Sequence, residues 1–170
     1  MKYLLLFLYS CLIAEAQSFK VYELLVPKDK IESFSNPREM IDAVGHDGIK
    51  LIAFADLNNG ENGLWSIDQA YSLEYAEEFD HLGEPITHAT RKIGLQVSIK
   101  QQSNGQVEMK YSNTKLEEWI PIRMVPGAFQ PIFSTGEMTT TFVIEDYVVM
   151  GGLVTDDGVL IMIIHKIKSE

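Results

Sequence analysis

The sequence predicts a mainly β (α+β) protein, an antiparallel sheet built from hairpins with one or two short helices. Three observations predict it. Ile93, Leu95, Val97 and Ile99 alternate with polar or small neighbours, and after a turn Val107, Met109 and Tyr111 alternate in the same way, the pattern of a hairpin with one apolar face. Val159 to Ile164 is apolar without alternation, as in a strand covered on both faces. One stretch alone, 36–45, carries helix punctuation at both ends.

Taken in order, the chain opens with Met1-Lys2, an apolar run from Tyr3 to Ile13, and Ala14-Glu15-Ala16. These are the three parts of a secretory signal peptide, so residues 1–16 are expected to be removed and 17–170 to form one domain. Removal takes away Cys11, the only cysteine. Leu8-Tyr9-Ser10-Cys11 loosely matches a bacterial lipoprotein cleavage site, but Tyr9 fits it poorly and the unlipidated product is expected. Phe19 to Val26 reads as a first strand stopped by Pro27, which cannot donate to a ladder. Asn36 then caps a helix of about two turns with Pro37 at its first position, Met40, Ile41 and Val44 as its apolar face, and Gly45 as its end.

Lys50 to Ala55 reads as a strand, 58–63 as a turn, and Leu64 to Leu73 as the returning strand. The acidic stretch Glu74 to Glu84 reads as a solvated loop or rim. The Ile93 hairpin follows, its Asn104-Gly105 turn expected to be of the tight primed type. Ser112 to Gln130, punctuated by Pro121, Pro126 and Gly127, reads as irregular. Thr139 to Ile144, Tyr147 to Val154 and Val159 to Ile167 complete the β content, the last two joined by a turn at Thr155-Asp156-Asp157-Gly158.

Composition narrows the function. The chain has 170 residues, one ordinary domain's worth. With 24 acidic against 14 basic residues and a net charge of −10, it has no basic excess to displace counterions from a phosphate backbone, which argues against a nucleic-acid partner. A single cysteine excludes a disulfide framework or a Cys-rich metal site. No apolar run reaches the roughly 18 residues of a spanning helix.

The order of the later pieces resembles the C-terminal core domain of bacterial secretins, the multimeric gates of type II and type III secretion and of type IV pili. The residues that carry this are Gly94-Leu95-Gln96-Val97-Ser98-Ile99, matching a G-x-x-L-x-V strand, then Pro131-Ile132-Phe133-Ser134-Thr135 through Thr139-Thr140-Thr141, then Val148-Val149-Met150-Gly151-Gly152-Leu153. More loosely, Asn62 to Ile67 resembles an earlier family turn. The chain departs from the pattern at Gly136, where the family has Arg, and at Glu145-Asp146, where it has Asp-Gly. The family's V-P-x-L-G-x-I-P segment before the last strand is replaced by Thr155-Asp156-Asp157-Gly158. That segment belongs to the membrane-inserting, gating part of a secretin, so the resemblance implies a minimal, secretin-core-like domain and not an autonomous channel.

No catalytic constellation emerges. His46, His81, His88 and His165 lack metal-ligand spacing, and there is no Gly-x-Ser-x-Gly elbow. Glu77-Glu78 and Glu117-Glu118 are sequence neighbours whose side chains diverge in a strand. The expectation is a non-enzyme without cofactor or metal. The interaction candidates are the aromatics Trp119 and Phe129, with Trp65 also read as an exposed aromatic, and Gly151 and Gly152, which mark a bulge or a close backbone approach. For Trp119, plugging the end of the sheet is the commoner use of such a residue.

The resulting expectation is an exported domain, periplasmic, outer-membrane associated or extracellular, that pairs strands with a protein partner, either itself or a larger secretin relative. Outer-membrane association stays open, though not through a spanning helix. The alternative is a soluble binding module that captures a ligand or cation at its acidic loop.

Overall fold

The computed structural model describes residues 17–58, 60–123 and 125–168; the expected signal peptide and Cys11 lie outside them. Among the described residues, nine strands form two antiparallel sheets. The first holds β1 (Gln17–Val26), β2 (Lys50–Leu57), β8 (Tyr147–Val154) and β9 (Val159–Lys168), in the order β2-β1-β9-β8. The second holds β3 (Leu64–Asp68), β4 (Tyr71–Phe79), β5 (Pro85–Gln101), β6 (Val107–Pro121) and β7 (Phe129–Phe142), in the order β3-β5-β6-β7 with β4 also on β5. The two helices are very short: a 3-10 helix at Lys28–Ser33 and α1 (Pro37–Asp42).

Each face of the first sheet has its own apolar cluster. Phe19, Val21, Ala55, Met162 and Ile164 point toward the second sheet and meet Trp65, Leu95, Val97, Ile99, Val107, Met109 and Tyr111. Leu24, Val26, Val159, Ile161 and Ile163 point the other way, against Ile31, Met40, Ile41 and Val44 of the helical segment. Successive side chains of a strand leave on opposite faces, so a strand buried on both sides must be apolar throughout. That is why Val159–Ile164 shows no alternation, and why β1 and β9 sit in the middle of their sheet.

Helix α1 forms where its caps permit. Asn36 Oδ1 accepts from the Glu39 N–H at 3.1 Å, and Glu39 Oε2 accepts from the Ser35 N–H at 2.8 Å, a reciprocal cap that satisfies donors the first turn would leave open.

Several expected boundaries are corrected. Leu64–Leu73 is not one strand, because the chain breaks at Gln69-Ala70 between β3 and β4. Of the acidic stretch, residues up to Phe79 belong to β4, and only Asp80–Glu84 turn. Much of the supposedly irregular 112–130 is strand, since β6 continues to Pro121. The turn after β5 is not primed. Gly105 has φ +82 but Asn104 is not left-handed, and Gly105 N–H bonds Gln102 O while Gln102 N–H bonds Gln106 O, the wider type I turn with a glycine bulge.

A two-ribbon projection and an inner cleft

The fork in the second sheet creates the candidate interaction surface. Strand β5 changes neighbours along its length. Its second half lies between β3 and β6, whereas Pro85–Ile93 pairs with β4 alone. Strand β6 does the same, with Val107–Thr114 between β5 and β7 and Lys115–Pro121 on β7 alone. Two two-stranded ribbons, β4–β5 and β6–β7, therefore leave a common trunk. Gly94 sits at the fork with φ +123, and a Cβ there would lie 2.8 Å from Gln69 O and 2.9 Å from Ala70 Cα; only glycine permits that approach.

The ribbons touch each other. Tyr75 of β4 packs on Phe133 of β7 with ring centroids 5.5 Å apart. The Arg91 guanidinium lies 4.8 Å from the centre of the Phe133 ring and donates to Thr135 Oγ1 at 3.1 Å. Gln130 Nε2 donates to Glu77 O at 3.3 Å. These contacts leave much apolar surface uncovered. Leu82, Ile86, Trp119, Ile120, Phe129 and Ile132 are between 36% and 73% exposed.

The four sequence-predicted residues fall into two pairs. Trp119 is opposite Pro131, and Phe129 is opposite Pro121, so both aromatics are diagonal neighbours on one face of the β6–β7 ribbon. Neither plugs the sheet. Gly151 and Gly152 lie on β8, an edge of the other sheet, in left-handed backbone at a bulge between Gly151 and Leu153. Trp65, read as an exposed aromatic, is buried: it meets Phe19 edge-on at 5.0 Å, and its Nε1 donates to Gln17 O at 2.8 Å.

Two polar features escaped the sequence reading. On the outer face of the second sheet, Ser66, Ser98, Lys110 and Thr139 form one cross-strand row, and Asp68, Gln96, Ser112 and Glu137 the next; together they line an open trough of about 490 Å³. The Lys92 ammonium and the Ala70 N–H hold the Asp68 carboxyl below its usual range. Between the sheets, Glu23 of β1 accepts from the Tyr111 hydroxyl at 2.8 Å and from Asn113 Nδ2 at 3.1 Å. Burial, then the Glu23 charge, push the Tyr111 hydroxyl well above its ordinary pKa. Glu23 had one sequence signal: it occupies the inward register of β1 with Phe19 and Val21.

The acidic stretch, where the alternative binding module would capture a ligand or cation, ends in a turn held by Asp80. Asp80 Oδ1 is spent on the Leu82 and Glu84 N–H groups, and among the described residues no group of three or more His, Cys, Asp or Glu is arranged to hold a metal. No helix among them is long and apolar enough to cross a membrane. Comparison with protein-family models, with curated proteins and with solved structures finds no match to this chain.

Proposed function

We propose that this chain is an exported, secretin-core-like domain that acts without catalysis, by strand-mediated assembly with copies of itself or with a larger secretin relative in the cell envelope. The observation that carries the reading is the pair of ribbons. A two-stranded ribbon has one unpaired backbone edge on each strand, and such edges are templates for added strands. Here they come with exposed Trp119, Phe129, Ile132 and Ile86, and aromatic anchors of that kind carry much of the energy of protein interfaces. The order of the β5–β6 hairpin, the Pro131–Thr141 segment and the Gly151-Gly152-Leu153 strand supports the family likeness.

Size-exclusion chromatography with light scattering on the full chain tests this. A concentration-dependent oligomer is expected, weakened in a Trp119→Ala, Phe129→Ala double variant. A strict monomer at high concentration, with no crosslinked partner in the native envelope, overturns the reading.

A further inference from the structure

Strands β7 and β8 are the edges of the two sheets on one side of the sandwich, and between them opens a cleft of about 190 Å³. Its walls include Met138, Met150, Met162, Leu153 and Leu160, and Glu23 and Tyr111 also line it. The volume is that of about six waters at roughly 30 Å³ each, room for a short alkyl chain. Gly136 borders the cleft, and a Cβ there would meet nothing within 4 Å.

The chemistry of the cleft is unbalanced. Both hydrogen bonds to Glu23 converge on Oε2, and none is made to Oε1 among the described residues. No ion pair among those residues includes Glu23. A partly buried carboxylate with neutral donors on one oxygen leaves the other free to take a charge-assisted bond from a cation. Thioether walls adapt to an aliphatic stem. The net charge of −10 favours cations in the surrounding field.

We propose that this cleft binds a primary ammonium group on a short, unbranched alkyl stem, with the ammonium on Glu23 and the stem among Met138, Met150 and Met162. The site does not depend on the ribbons or on the assembly reading. The same chemistry is offered by a free alkylamine and by a lysine side chain of an incoming strand.

Methionine methyl NMR of the full chain tests it, with n-pentylammonium as the probe. Saturable shifts are expected at Met138, Met150 and Met162 but not at Met40, which belongs to α1 on the far face of the first sheet. The isosteric alcohol n-pentanol is expected to bind roughly tenfold more weakly, since a charge-assisted bond is lost. Glu23→Gln should abolish that preference. Gly136→Lys, which keeps Glu23 and occupies an open, unstrained position, should supply the ammonium in cis, raise Tm and remove the pentylammonium shifts. A capped, extended pentapeptide with a central lysine separates the sources: tighter binding than the free amine assigns the site to a partner's side chain, weaker binding to a small molecule. Absence of shifts, equal response to amine and alcohol, or full binding by a folded Glu23→Gln or Gly136→Lys variant overturns the proposal.

Discussion

The trunk and the ribbons share three strands, β5, β6 and β7, yet they obey different rules. In the trunk, Val97, Ile99 and Met109 of β5 and β6 are at most 2% exposed because the first sheet covers them. Farther along the same strands, Ile86 and Trp119 are 61% and 43% exposed. Backbone pairing continues through both regions, so pairing is not what differs. A second layer is. A two-stranded ribbon alone is marginal in water; these persist because the trunk roots them and because Tyr75, Phe133 and Arg91 join them.

The contrast is broken most severely in the trunk. Met109→Ala or Ile164→Ala, both fully buried, should cost about 2–5 kcal/mol in urea unfolding. Equal costs for such changes and for Trp119→Ala would abolish the distinction. Next comes the fork: Gly94→Val must strain a left-handed backbone against Gln69 and Ala70 and should cost about 1–3 kcal/mol. Arg91→Ala removes the cation from the Phe133 face and should cost about 0.5–1 kcal/mol, read as a lower Tm with trunk spectra unchanged. Trp119→Ala with Phe129→Ala should alter stability by no more than about 0.5 kcal/mol while weakening association, which locates the role of those side chains outside the fold.

The last test concerns the far end of the trunk. His165 stacks on Tyr147 with centroids 4.2 Å apart; desolvation, then Lys20, hold its pKa below the ordinary 6.5. The unfolded chain therefore takes up the proton first as pH falls, so stability present above 6.5 is lost below it. Tm should fall as pH drops below 6.5, and His165→Gln should flatten that slope without touching the ribbons.

The same contrast explains what could be read from the sequence. The trunk was legible: the alternation of Ile93–Ile99, the unbroken apolar run of β9 and the Asn36-Pro37…Gly45 punctuation each record a burial requirement or a cap. The ribbons were not. Residues 74–79 and 115–121 are strands without a deep core beneath them, so they carry no apolar period, and their charges read as loop. Asn104-Gly105 announced a turn but not its type, because only the glycine enters left-handed space. Trp119 and Phe129 read as exposed aromatics and both are exposed, but nothing local distinguishes them from Trp65, which is buried. The inward register of Glu23 on β1 is legible, but its partners are not, because they lie 88 and 90 residues away on the facing sheet.

The fork also means that one covalently continuous strand has two lifetimes. In β5, amide protons beyond Gly94 sit between two neighbours and over a dry core; those before it have a single neighbour and water on the other side. Deuterium uptake should therefore step at Gly94, with the trunk half exchanging only when the whole molecule unfolds and the ribbon half through local opening. A partner that adds a strand to the ribbon would erase the step, making this one strand a gauge of whether the ribbon is occupied.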